Sequence, residues 1–314
     1  NPHHAQAQAV LARIELVEGK QALAATRVQD QVLQQNPHSL EGLAIQAALA
    51  LRADDKSGYA TIRAAAVGHA RDGGIFFTRL AELLVSLHMY PEADTVLAKA
   101  VALAPKNPRA QSAYGLNLLR LGEETKGRAA LEAAWKRDRF NERTLNTLEL
   151  YRQTIDPKYT DVKAKQLSLR VPTLDHEWLA DDLVAAYACA RKSLDARYGI
   201  DPGVLRLEAF DTPETFSLRT LGVPSFGALG VCFGKVITLV GNHRGTHNLH
   251  QAIWHELAHV HAIRLSRGRV PRWFTEGLSE WESELADPSW ARESAELLAA
   301  ARRQGKMRRL EELE

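Results

Sequence analysis

His255-Glu256-Leu257-Ala258-His259, set inside the apolar, helix-patterned run from Asn248 to Leu265, decides how the second half of this chain is read. On an α-helix, residues i and i+4 project from one face a turn apart. The two imidazoles therefore stand where a single Zn²⁺ can bind both. Glu256 points slightly off that face, toward the water a catalytic zinc holds, where it can act as general base. A pattern with so few fixed positions also matches helices by chance, so the residues downstream of His259 carry the decision.

Catalytic zinc has three protein ligands and one open position, which directs the search downstream. Gly268 and Pro271 in Ser266-Arg267-Gly268-Arg269-Val270-Pro271 are stop and restart signals, and Pro271 suits the entry to a second helix. On that helix Glu276 lies 17 residues after His259, enough for a helix end, a turn and a return. It completes a set of two histidines and one glutamate. Glu280, one turn further on the same face, can accept a hydrogen bond from a ligand imidazole and set its tautomer. The alternative for Glu280, Glu282 and Glu284 is a solvated helix face. His261 is about 200° around the helix from His259 and reads as a packed or surface residue. Trp254, Trp273 and Trp281 read as core aromatics anchoring the two helices.

The combination His255-Glu256-x-x-His259 with Pro271-x-Trp273-x-x-Glu276-Gly277-x-x-x-Glu280 resembles the gluzincin branch of zinc metallopeptidases. More narrowly, it is similar to the bacterial peptidase-MA-like domains found behind tetratricopeptide repeats. The resemblance covers the chain from about Arg170 onward. It implies His255, His259 and Glu276 as metal ligands, Glu256 as catalytic base, Glu280 as a residue behind the ligands, and an exported bacterial protein. Gluzincins also carry a Tyr or His that stabilises the oxyanion. No Tyr or His comes after His261 here, so either that residue lies past residue 314 or catalysis has been lost.

Ahead of the motif helix, Leu205 to Phe210 alternates like a half-buried strand, and Ala228 to Val240 reads as one or two strands bent at Gly234. Phe216 to Arg219 leads on from the first strand toward a loop at Gly222-Val223-Pro224. These segments predict a small sheet over the metal helix. In zincins the edge strand of this sheet pairs with an extended substrate, which implies the backbone of Gly230, Val231, Cys232 and Phe233, or of Val236 to Leu239. The alternative is a plain core sheet. Leu179 to Tyr198 is an amphipathic helix ending at Gly199 and packing beneath that sheet. His243, His247 and His250 form a loose cluster, read as capping or exposed.

The first 150 or so residues are rich in Ala and Leu with almost no strand signal. Asn36-Pro37, Asp72-Gly73-Gly74, Asn107-Pro108 and Asn141 punctuate them at intervals of about 34 to 36 residues. Ala81, Ala93, Ala100 and Pro105 match Gly115, Gly127, Ala134 and Arg139, each offset by 34. Small residues are needed where paired helices approach closely. This resembles the tetratricopeptide repeat, which stacks as a solenoid whose concave face binds peptides or proteins. Tyr90 and Tyr114 read as core residues or as groove lining.

The expected fold is thus an α solenoid of tetratricopeptide-like repeats (1–155), a linker at 153–158, and an α+β zincin-like domain (160–314). The expected function is a Zn²⁺-dependent metallopeptidase whose repeats recruit a protein or peptide partner. The rival is a non-catalytic interaction scaffold with a degenerate zincin-like domain. A formal net charge of +2 argues against a general nucleic-acid binder, and the basic run Arg302 to Arg309 reads as a solvated helix face. No uninterrupted apolar stretch is long enough to span a membrane. Cys189 and Cys232 read as buried small apolar residues.

Overall fold

The computed structural model describes residues 4–69, 73–225, 227–241 and 248–309. They fall into two compact units, one ending at Arg139 and the other beginning at Phe140.

The first unit is built from helices that pair in sequence order. α1 (Ala5–Val17) pairs with α2 (Gln21–Arg27, continued by a π-helical segment, Val28–Leu33), and α3 (Leu40–Arg52) with α4 (Lys56–His69). α5 (Gly73–Ser86) pairs with α6 (Tyr90–Leu103), and α7 (Pro108–Arg120) with α8 (Glu124–Trp135). The register of small residues has a direct physical cause. A Cβ on Gly115 would lie 2.8 Å from the Gly127 carbonyl oxygen, and one on Gly127 would lie 2.9 Å from that of Gly115. The two backbones touch, and only glycine fits. One repeat earlier the same positions hold Ala81 and Ala93, both fully buried. Two of the asparagines that punctuate the repeat are helix caps: Asn107 accepts from the N–H groups of Arg109 and Ala110, and Asn141 from that of Thr144, whereas at Asn36 the cap of the next helix is Ser39. Tyr90 is buried, its hydroxyl bonded to His88 Nδ1 at 2.8 Å, so it lines no groove.

The second unit starts earlier than the sequence indicated. Asn141 caps α9 (Glu142–Glu149) on the repeat's own 34-residue spacing after Asn107. That helix nevertheless belongs to the second unit. Arg143 Nε donates to the Leu221 carbonyl at 2.8 Å and Asn146 Nδ2 to that of Gly222 at 3.0 Å. The stretch read as a linker, 153–158, falls in a π-helical continuation, Leu150–Ile155, and the one-turn α10 (Asp156–Lys158). Leu150, Tyr151 and Ile155 are buried there, so the chain has no loose hinge at this point.

A mixed sheet in the order β1-β2-β3-β5-β4 forms the centre of this unit. β1 (Tyr159–Ala164) and β2 (Leu167–Pro172) make a hairpin, while β3 (Leu205–Phe210) runs parallel to both β2 and β5 (Val236–Val240). β4 (Gly230–Cys232) closes the order antiparallel to β5, across a turn in which Gly234 takes φ +85°. Alternation sorts the two faces. Leu167, Leu169, Leu205, Leu207, Ile237 and Leu239 pack on α11 (His176–Tyr198) and α13 (Leu249–Ser266). α11 ends at Gly199 in the left-handed conformation, as its sequence indicated. The segment expected to lead from strand to loop at Phe216–Arg219 is instead helix α12 (Pro213–Leu221). Thr212 and Thr215 close a capping box at its start, a local signal that outweighs the β-like composition.

Against α12 the sheet presents charge. Glu208 is completely buried, with Arg206 Nε at 2.7 Å from Oε1 and Arg219 Nε at 2.7 Å from Oε2. Arg170 stands 3.7 Å away and also pairs with Asp161 at 2.7 Å. Burial pushes the Glu208 carboxyl up, but the Arg219, Arg206 and Arg170 guanidiniums outweigh it and hold it below the usual range. Cys232 is buried as expected, whereas Cys189 on α11 is exposed; neither is bridged. Among the described residues no helix is long and apolar enough to cross a membrane.

Candidate metal centre

α13 carries the H-E-x-x-H stretch, and its start is set locally: Asn248 accepts from the N–H groups of His250 and Gln251. It stops where Arg267 adopts φ +54° and Gly268 φ +71°, which reverses the chain through Pro271 into α14 (Arg272–Ala286). α14 then runs back along α13 and is held against α11. Glu282, only 2 % exposed, accepts from the Tyr198 hydroxyl at 2.7 Å and pairs with Arg197 at 3.0 Å. Of the three acidic side chains read as a possible solvated face, Glu282 is thus a buried anchor.

This return brings His255, His259 and Glu276 together. The two Nε2 atoms are 3.1 Å apart, and Glu276 Oε2 lies 3.4 Å from each. Tetrahedral bonds of about 2.0–2.1 Å put any two ligand atoms about 3.3–3.4 Å apart, so the triangle has the size that zinc requires. Two neutral imidazoles and one carboxylate also match the donor preferences of that ion. Among the described residues this is the group of His, Cys, Asp and Glu whose ligand atoms converge. Glu280 Oε1 lies 3.3 Å from His255 Nδ1. A proton held on Nδ1 by that carboxylate leaves the Nε2 lone pair directed into the triangle. The contacts to both histidines hold the Glu276 carboxyl far below its usual range. Burial lowers the His255 pKa, but Glu276, Glu256 and Glu280 together raise it above 6.5.

Glu256 is 7 % exposed and packs against the edge strand. A Cβ on Gly230 would lie 2.5 Å from Glu256 Oε1 and 2.9 Å from Cδ, so glycine at 230 makes room for this carboxylate. Burial raises the Glu256 pKa, partly offset by His259 and His255, which moves it toward the range a general base needs. Among the described residues no hydrogen bond reaches the carboxylate.

The strand order resolves which backbone can meet a substrate. Val236–Leu239 lies in β5, between β3 and β4, so that candidate is enclosed by the sheet. β4 is outermost. Leu229 and Phe233 bond to β5 through Val240 N and Val236 O, at 2.9 and 2.8 Å. By antiparallel alternation the N–H and C=O of Gly230 and Cys232 point to the open edge, while Val231 and Phe233 face β5. Cys232 contributes main chain only: burial pushes its thiol far up, and Sγ accepts from Gly234 N at 3.2 Å.

Comparison with known proteins adds little to this geometry. No family description matches the sequence, and no curated protein matches it. A thermophilic TPR protein of Thermus thermophilus is similar over 49 % of this chain and 85 % of its own, at 21 % identity and a TM-score of 0.33. A likeness that distant carries no functional argument.

Other sequence candidates separate from the metal triangle. His261 is fully buried on the far side of α13, with Nε2 2.7 Å from Asp195 Oδ1 and Nδ1 2.8 Å from the Leu257 carbonyl. His250 pairs with Asp182 at 3.0 Å, whereas His243 and His247 lie outside the described residues. Trp254 stacks edge-on with Trp290, but Trp281 is 55 % exposed and is not a core residue. In the first unit a cleft of about 450 Å³ is lined by His4, Asn36, His38, Glu41 and Arg79, with the last two paired at 2.6 Å.

Two substitutions probe the triangle. Glu276→Ala should remove tight zinc binding. Glu280→Ala, which frees His255 Nδ1, should weaken it by about 10- to 100-fold. Competition with a chromogenic chelator measures both, and unchanged affinity in Glu276→Ala would exclude it as a ligand.

Proposed function

We propose that this chain is a zinc-dependent metallopeptidase whose helical unit recruits a protein or peptide. The observation that supports it most is the near-equilateral triangle of His255 Nε2, His259 Nε2 and Glu276 Oε2 with buried Glu256 beside it. When bound there, zinc lowers the pKa of a water and polarises a carbonyl oxygen. Glu256 takes the water's proton as the oxygen attacks the scissile carbonyl and returns it to the leaving amine. An extended peptide added alongside β4 exchanges main-chain hydrogen bonds with Gly230 and Cys232, which selects for backbone more than for side chains. The cleft of the first unit, lined by polar and apolar side chains, offers a separate surface for recruitment.

A second reading, a non-catalytic interaction scaffold, is favoured by the paired-helix unit. Glu256 weighs against it. Burial disfavours its charged form, and among the described residues no hydrogen bond requires a carboxylate there.

Zinc stoichiometry, by elemental mass spectrometry on protein purified without a metal-binding tag or chelator, tests the proposal. Close to one zinc per chain is the expected result. No uptake at micromolar supply would leave only the scaffold reading. Gly230→Ala provides a geometric test. The added methyl displaces the Glu256 carboxylate, and a misplacement near 1 Å lowers kcat/KM by about 10²-fold. Zinc content and thermal stability should stay near wild type, and unchanged turnover would remove the edge-strand contact from the mechanism.

A further inference from the structure

Arg272 stands beside the metal triangle without being one of its ligands. It is the first residue of α14, 74 % exposed, and its Nε lies 3.2 Å from Glu276 Oε1, the oxygen not directed at the histidines. Among the described residues neither Nη has a partner. Helix stability does not explain the residue. A cation at the first position of a helix is opposed by the macrodipole, and Arg preceding Glu is the weaker order for an i,i+4 pair. Arg272 and Glu276 lie one turn apart on α14, so the guanidinium is held on the helix face that carries the ligand.

Resting on the peptidase reading, we propose that Arg272 is the group that stabilises the oxyanion: tethered through Nε to Glu276, it presents its Nη donors to the carbonyl oxygen of the scissile amide. As the water oxygen bonds to the carbonyl carbon, the C=O π pair moves onto the carbonyl oxygen and Glu256 takes the proton. The C–N bond then breaks, and that proton passes to the departing nitrogen. The negative charge that builds on the carbonyl oxygen is what Arg272 meets. A bidentate cation supplies here what a Tyr hydroxyl or His N–H supplies elsewhere, and with stronger, charge-assisted bonds.

The test compares zinc-loaded wild type with Arg272→Met and Arg272→Lys. The probe is a phosphinic peptide, whose anionic tetrahedral group mimics the oxyanion, with binding measured by titration calorimetry alongside kcat and KM. Arg272→Met should keep its zinc and lose about 10²-fold in phosphinic-peptide affinity and in kcat, with little change in KM, and Arg272→Lys should recover part of both. Phosphinic-peptide affinity equal to wild type, or a loss fully accounted for by lost zinc, overturns the proposal for Arg272 alone. A wild type that takes up no zinc overturns it together with the peptidase reading.

Discussion

Glu256→Gln should abolish peptide hydrolysis, with a loss of about 10²–10⁴-fold, while the protein keeps its zinc. The amide matches the carboxylate in size, so the close packing against Gly230 is preserved, but it cannot take a proton from water. Nor is Glu256 one of the converging ligand atoms, so removing its charge leaves the triangle of His255, His259 and Glu276 in place. The substitution also relieves the burial of an unbonded carboxylate, so thermal stability should hold or rise slightly. A quenched fluorescent peptide library read beside elemental analysis checks both halves. Turnover equal to wild type would exclude Glu256 as the base. Zinc lost together with activity would instead give this residue a structural part in the site.

Glu208→Gln should have the largest effect on stability. It removes the negative charge facing Arg219, Arg206 and Arg170, whose side chains are 2 %, 17 % and 7 % exposed. Breaking a buried ion pair from one side costs about 3–5 kcal/mol, because the remaining charges stay desolvated and uncompensated. Asp161, which also pairs with Arg170 and Arg206, offsets part of that cost. Guanidinium denaturation of the second unit's helices and sheet, followed by circular dichroism, should show the lower midpoint. An unchanged midpoint would mean that the arginines turn outward to water. The sign of the pH dependence comes from the depressed Glu208 pKa. Its contribution is complete above the ordinary value of 4.5 and is lost as pH falls through the folded value. The variant should therefore show a weaker acid dependence than wild type.

Much of this architecture could be read from local signals. The i,i+4 histidines, the Gly268 and Pro271 punctuation and the Asn248 cap lie within a few residues of the features they control. α13, the turn and α14 accordingly fall where the pattern puts them. Gly115 and Gly127 are similarly informative, since closely crossing helices exclude a side chain at both positions. Elsewhere local and tertiary preferences diverge, and there the sequence misleads. Residues 153–158 carry linker-like composition, yet Ile155 is buried and the segment it belongs to packs on α12, distant in sequence. β1 and β2 carry no clear local signal, because β2 is buried on both faces and includes Arg170, whose partners Asp161 and Glu208 no short-range pattern reveals. Trp281 has core composition but an exposed place, since the buried face of α14 is turned by Glu282.

By itself the sequence determined the paired helices, the spacing of the candidate metal ligands and the candidate acid–base carboxylate, because these depend on helical periodicity and on chemistry within a turn or two. Only the tertiary structure decided that Glu276 Oε2 closes a triangle with the two histidines and that Glu280 stands behind His255. It also decided that Gly230 makes room for Glu256 and that Arg272 is tied to the free oxygen of Glu276. Those relations depend on how α14 is anchored to α11 and how β4 lies along α13. Buried contacts between residues tens of positions apart fix such placements, and no local pattern encodes them.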